Sequence, residues 1–256
     1  MDLNNKVAIV TGGSSGLGEA TVKAYLEKGA KVAIFDMNPS QDKTLSVKYA
    51  DNLMFRSVDV TDENAVSQAL NDVCETFGPI YICNNFAGIA PGEKVYGKKG
   101  AHRLELFQNV ININLVGTFN VSRLVAEKMA HNQPINSDGG RGVIINTASV
   151  AAFEGQMGQS AYSASKAGVV GMTLPMARDL AAVGIRVNCL APGIIHTPLF
   201  DNFSEEVIDS LSESVVYPKR LGAPSEVAAL SVFIVENDYL NGETIRLDGA
   251  IRMQPR

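Results

Sequence analysis

Short runs of β-branched and aliphatic residues alternate along the chain with longer stretches in which apolar positions recur at helical spacing. Residues 7–10, 32–35, 54–58, 80–83, 143–146, 185–190 and 244–247 form seven such runs. Most are continuously apolar rather than alternating, which predicts parallel strands covered on both faces. Residues 16–28, 62–76, 104–130, 161–182 and 225–236 predict helices, three of them stopping near Gly29, Gly78 and Gly184. Strand and helix in strict alternation imply right-handed crossovers and an α/β architecture, a doubly wound parallel seven-stranded sheet with helices on both faces. No linker or change of composition divides the pattern, so one domain over residues 1–256 is expected. Two irregular stretches interrupt it: residues 90–103, with Lys94, Lys98 and Lys99, and the proline-rich residues 191–224, which are long for a connection and predict a lid.

Composition narrows the function. Of the 256 residues, 46% are hydrophobic and 19% charged, which excludes a disordered chain. Lys and Arg number 22 against 27 Asp and Glu, a net charge of -5 that repels a phosphate backbone, so no nucleic acid partner is expected. Cys74, Cys83 and Cys189 are odd in number and widely spaced, pointing to a reducing compartment rather than disulfides. His102, His131 and His196 show no metal-ligand spacing, so no metal site is expected. The first residues lack a signal-peptide core, and no apolar run is long enough to span a bilayer. A soluble cytoplasmic protein with no membrane partner is the expectation.

The chemistry begins at Thr11-Gly12-Gly13-Ser14-Ser15-Gly16-Leu17-Gly18, between the first strand and first helix. Gly12 suits a tight turn, Gly16 lets backbone approach a pyrophosphate, and Gly18 permits close packing of helix on sheet. Ser15, Leu17 and their neighbours would present helix N-terminal amides to phosphate. The spacing is G-x-x-x-G-x-G, not the commoner G-x-G-x-x-G. Asp36 ends the second strand, 18 residues after Gly18, where an acid accepts hydrogen bonds from an adenosine ribose. A carboxylate there repels the 2'-phosphate of NADP by about 4 kcal/mol at a separation of about 4 Å and an effective dielectric near 20. Met37 and Asn38 follow, with no Arg to bind such a phosphate, so NAD is favoured; alternatively Asp36 only opens a turn. Asp59, with Val60 beside it after the third strand, is a candidate adenine contact.

Tyr162 and Lys166 stand four residues apart, one turn on one helical face. Oxidising an alcohol needs a base, and bringing a tyrosine from about 10 to about 7 takes roughly 4 kcal/mol of phenolate stabilisation. A close ammonium and the positive nicotinamide ring of NAD are suited to that. Ser149, at the end of the strand before Tyr162, offers a hydroxyl for the substrate oxygen. Gln156 and Gln159 lie between the two and are candidate substrate contacts; as polar loop residues they need no such role.

Taken together, Thr11 to Gly18, Asn85-Phe86-Ala87-Gly88, Asn114, Ser149, Tyr162, Lys166 and Pro192-Gly193 resemble, in order and over essentially the whole chain, the short-chain dehydrogenase/reductase family. The resemblance implies a Rossmann-type fold with Ser149 orienting the substrate and Tyr162 as acid/base. It also implies that Lys166 lowers the tyrosine pKa and binds the nicotinamide ribose, that Asn114 supports a proton relay, and that Ala87, Gly88, Pro192, Gly193 and Thr197 line the cofactor. Arg141 to Gln156, Gly171-Met172-Thr173-Leu174-Pro175 and the stretch from Leu240 to Met253 are similar to the group of type II 3-hydroxyacyl-CoA dehydrogenases. That likeness implies NAD-dependent interconversion of 3-hydroxyacyl-CoA and 3-ketoacyl-CoA, a homotetramer, and in some relatives a mitochondrial location. An NADH-linked hydroxysteroid or 3-oxoacyl reductase, and a non-catalytic scaffold subunit, are the alternatives. Phe86 departs from the family's usual second Asn at that position.

Overall fold

A computed structural model of the protein describes residues 1–200 and 204–255. The seven apolar runs form one parallel sheet: β1 (Val7–Thr11), β2 (Lys31–Asp36), β3 (Leu53–Ser57), β4 (Ile80–Asn85), β7 (Gly142–Thr147), β8 (Ile185–Pro192) and β9 (Thr244–Leu247), in the order β3-β2-β1-β4-β7-β8-β9. The order reverses at β1, which pairs with β2 on one side and β4 on the other. At such a switch point the crossovers diverge and leave a crevice beyond the carboxyl ends of the strands.

Alternate residues of the same strands face opposite layers. Val7 and Ile9 of β1 join one core with Val66 and Leu70 of α3 (Glu63–Phe77), Val121 and Val125 of α5 (Thr118–Ala130), and Met176 of α6 (Ser160–Ala181). Ala8 and Val10 join the other with Val22 and Leu26 of α1 (Gly16–Glu27) and Val227 and Ile234 of α8 (Pro224–Glu236). Every residue of β1 and β7 is buried, the physical reason their central residues are apolar on both faces rather than alternating.

The structure departs from the expected elements at four places. The helix expected over 104–130 is α4 (Leu104–Ile111), a π-helical turn at Asn112–Gly117, and α5. Buried Asn114 sits in that turn, and a Cβ on Gly117 would stand 2.6 Å from Val60, so the turn is drawn in against the loop after β3. Two further helices, α2 (Lys43–Lys48) and α7 (Glu205–Ser214), were not read from the pattern because α2 buries only Leu45 and α7 buries nothing. Within residues 90–103, β5 (Tyr96–Gly97) and β6 (Gly100–Ala101) pair as a small antiparallel hairpin carrying exposed Lys98 and Lys99. The irregular stretch expected from residue 191 starts after Pro192, since β8 runs that far; its residues 201–203 lie outside the described part. Among the described residues no helix is long and apolar enough to cross a membrane.

A buried chain of hydrogen bonds fastens α1, β4 and α8. Tyr25 Oη donates to Asn84 Oδ1 at 2.7 Å, and Asn84 Nδ2 donates to Ser231 Oγ at 3.2 Å. Tyr25 and Asn84 are wholly buried. Tyr25→Phe would strand the Asn84 acceptor, so it is expected to lower stability by about 1–3 kcal/mol. Urea unfolding checks this; an unchanged midpoint at equal slope would refute it.

Candidate active site

The crevice is a cavity of about 1370 Å³, larger than the roughly 300–1,000 Å³ of an ordinary small-molecule pocket. Gly12, Ser15, Gly16, Leu17, Gly18, Asp36, Asp59, Val60, Ala87, Gly88, Ser149, Gln156, Gln159, Tyr162, Lys166, Pro192, Gly193 and Thr197 all line it. Of the candidate residues only Asn114 does not.

At one end, the turn after β1 is shaped by close backbone packing. Gly12 has φ +63 and a Cβ there would meet Ala87 N at 2.8 Å, while a Cβ on Gly18 would collide with the Gly12 carbonyl oxygen. The roles expected of Gly12 and Gly18 therefore have steric counterparts, in the turn and in the seating of the helix on it. Ser15 caps α1 in extended conformation with no side-chain bond to the first-turn amides, so these remain free for an anion. The Asp36 carboxylate accepts from Ser14 N at 3.2 Å and Asn38 N at 3.3 Å, which holds it beside the glycine turn. Asp59 accepts from Thr61 N at 2.8 Å and Thr61 Oγ1 at 2.7 Å, so its carboxylate organises its own loop at the cavity edge. Phe86 is half-buried, packs against the core on the α1 side and also lines the cavity.

At the other end, β7 delivers Ser149 just past its carboxyl end and α6 delivers Tyr162 and Lys166. Ser149 Oγ accepts from Ala151 N at 3.1 Å, and its hydroxyl neighbours the Tyr162 phenol. Lys166 is 5% exposed; its Nζ donates to Thr147 O at 2.7 Å and lies 5.8 Å from the centre of the Tyr162 ring. Burial raises the Tyr162 phenol above the usual tyrosine value, and the Ser149 hydroxyl opposes this. Burial lowers the Lys166 ammonium to about 8. The acidification expected of Lys166 is therefore not exerted by direct contact: the ammonium points to a main-chain carbonyl, and Ser149 supplies the downward influence on the phenol.

Asn114 sits behind this group. Its Oδ1 accepts from Ile89 N at 2.8 Å, and its Nδ2 donates to Ile89 O at 2.9 Å and Ser165 Oγ at 3.1 Å. Ser165 Oγ in turn donates to Tyr162 O at 2.7 Å, so the amide fastens the loop after β4 to the turn of α6 that carries Tyr162 and Lys166. A Cβ on Gly88 would lie 3.0 Å from Asn114 Oδ1 and 3.7 Å from Lys166 Nζ. Gln159 Oε1 accepts from Gln156 N at 2.9 Å, and Gln156 Nε2 donates to Gln254 O at 3.1 Å. Sequence reading missed Ile89, Ala90, Thr147, Leu211 and Met253, which also line the cavity. The first two directly follow Gly88 and were within reach of the motif; Met253 ends a stretch that carries the family resemblance, but nothing in its local sequence points to the cavity.

The protein belongs to the short-chain dehydrogenase family: the family model described as short chain dehydrogenase matches residues 6–208. That class uses a nicotinamide cofactor, and the cavity fits one. The glycine turn leaves room only for bare backbone, the α1 amides are uncapped, and Thr147 Oγ1 is a buried hydroxyl on the wall with no partner among the described residues. More particularly, the chain is 54% identical over 251 residues to 3-hydroxyacyl-CoA dehydrogenase type-2 of Bos taurus, covering 97% of this chain and 96% of that one. It is 52% identical over 255 residues to the protein of the same name from Drosophila melanogaster, covering 99% and 100%. The crystal structure of 3-hydroxyacyl-CoA dehydrogenase type-2 from Mycobacterium avium superposes with a TM-score of 0.94 at 39% identity, covering 98% of each chain.

Holding Lys166 charged and dry costs stability. Its value falls from 10.5 to about 8, so between those limits the unfolded chain binds more protons than the folded one and stability rises with pH. Below pH 8 the full cost, about 3 kcal/mol at 1.36 kcal/mol per unit, is present. Lys166→Met is therefore expected to raise the melting temperature at pH 7, without added nucleotide, by roughly 2–6 °C after the lost hydrogen bond is subtracted. The gain should shrink as pH rises from 8 towards 10.5. Thermal melts across that range test this, and a gain of the same size at every pH would contradict it.

Proposed function

We propose that the protein is an NAD-dependent 3-hydroxyacyl-CoA dehydrogenase that interconverts 3-hydroxyacyl-CoA and 3-ketoacyl-CoA. The observation that carries this reading is the convergence of Ser149, Tyr162 and Lys166 on one cavity with the glycine turn and Asp36; the names of the similar proteins supply the substrate class.

Bound in this cavity, the nicotinamide cofactor supplies the hydride acceptor. Ser149 holds the C3 oxygen of the substrate, and Tyr162 Oη takes the hydroxyl proton as the C3 hydrogen leaves as hydride and the carbonyl forms. In the reverse direction Tyr162 returns that proton. Lys166, protonated at neutral pH with a value of about 8, stabilises the phenolate through its charge, 5.8 Å from the centre of the Tyr162 ring, and would meet the nicotinamide ribose. Asn114 acts by fastening α6 and the loop after β4, so its part in proton movement passes through the groups it holds. Gln156 and Gln159 shape the substrate end, while Ala87, Gly88, Pro192, Gly193 and Thr197 bound the nicotinamide end.

NAD rather than NADP is proposed because the Asp36 carboxylate is held at the end of β2 beside the glycine turn, where a 2'-phosphate would meet like charge. The single-domain layout over residues 1–256 with a lid at 191–224, the homotetramer carried by the resemblance, and a cytoplasmic location with a mitochondrial alternative belong to the same proposal. Leu211 of α7, on the cavity wall, supports the lid.

Two experiments test the reading. Tyr162→Phe is expected to retain NADH affinity by fluorescence titration and to lose at least about a hundredfold in kcat for acetoacetyl-CoA reduction. Turnover within tenfold of wild type would sink the assignment of the base, and a wild-type enzyme preferring a steroid ketone to the thioester would sink the substrate class. Asp36→Ser should move the ratio of kcat/KM for NADP over NAD upward by about 10 to 100-fold, within the limit set by the like-charge repulsion; an unmoved ratio would show that Asp36 does not read the ribose.

A further inference from the structure

The loop between Ser149 and Tyr162 is tied along its length to the segment that follows β9. Glu154 accepts from Arg246 Nη1 at 2.9 Å and Nη2 at 3.0 Å, and Arg252 Nε lies 3.5 Å from the same carboxylate. The Arg246 guanidinium also lies 5.1 Å from the centre of the Phe153 ring. Two residues on, Gln156 Nε2 donates to Gln254 O at 3.1 Å, and Met157 N donates to Pro255 O at 3.0 Å. Asp248 completes the anchorage, accepting from Arg246 Nε at 2.7 Å and from Ala250 N at 2.9 Å. Residues 252–255 thus run beside the substrate loop as a second wall, and Met253, half-buried between these anchors, lines the cavity that Gln156, Gln159 and Tyr162 also line.

We propose that Met253 is a specificity-determining residue that limits the length of acyl chain the enzyme accepts, and that Glu154 is a positioning residue that holds this wall in place through Arg246 and Arg252. The inference rests on the reading of the protein as an acyl-CoA dehydrogenase. With C3 held at Ser149 and Tyr162, the alkyl chain beyond it must run along apolar surface. The Gln159 side-chain oxygen is taken up by Gln156 N and the Gln156 side-chain nitrogen by Gln254 O, while Met253 is an apolar side chain on the cavity wall carried by the segment anchored to this same loop. An unbranched thioether fills an irregular gap and yields to a passing chain. Each methylene buried against such a wall is worth about fourfold in binding.

The test uses the intact enzyme, NADH and 3-ketoacyl-CoA thioesters of four, eight, ten and sixteen carbons. Met253→Ala is expected to raise the ratio of kcat/KM for ten over four carbons by at least about fivefold. Met253→Trp should lower it by a similar factor, with NADH affinity within twofold of wild type in both. Glu154→Gln should move the ratio in the same direction as Met253→Ala, through KM rather than kcat, and Glu154→Asp should recover part of the change. Unchanged ratios in both Met253 variants, with normal acetoacetyl-CoA turnover, would overturn the role of Met253. A kcat that falls equally for every length in Glu154→Gln would overturn that of Glu154. A wild-type enzyme that reduces no thioester of any length would instead overturn the functional reading.

Discussion

The site turns on one expensive placement, an ammonium group almost without water at the end of a parallel sheet. Lys166 is 5% exposed and has Thr147 O at 2.7 Å as its hydrogen-bond acceptor. A buried charge with so little compensation is tolerated only where the surrounding structure over-determines it and function uses it. The over-determination is visible: Asn114 and Ser165 hold the turn of α6 that bears Lys166, and the π-helical turn brings Asn114 to them. A π-helical turn lengthens the local backbone loop, and such turns recur at functional sites for that reason.

The rest of the site follows from topology. Residues 11–18 and Ser149 come from distant parts of the sequence, yet β1 and β7 are separated in the sheet only by β4, and both deliver their following loops to the same edge. Because all seven strands are parallel, the glycine turn, Asp36, Asp59, Gly88, Ser149 and Pro192 emerge on one side, and the reversal of strand order at β1 opens the gap between them. The residues expected to act in catalysis and in cofactor binding therefore share a crevice as a consequence of strand direction. The same strand direction brings the segment after β9 to the loop between Ser149 and Tyr162, where ion pairs to Glu154 fix it.

The balance of the two titratable side chains departs from simple neighbour electrostatics. Burial acts on both: it raises the tyrosine and lowers the lysine, and each shift disfavours the charged form. Within the protein's own groups, the hydroxyl of Ser149 is what works against burial at Tyr162.

Local sequence was sufficient for the strands, the principal helices and most of the site, because their signals are short-range. Continuous apolar runs reflect burial on both faces, Gly12 and Gly18 are demanded by contacts a Cβ would violate, and Tyr162 and Lys166 share a face by helical period alone. The break in the helix at Asn112–Gly117, the capture of the Asn114 amide by Ile89 and Ser165, the lysine's preference for a carbonyl over the phenol, and the wall built by Met253 were decided by tertiary structure. Each depends on groups brought together from distant parts of the chain, or on how fully water is excluded around them, and neither distance in space nor dryness is written in the order of residues.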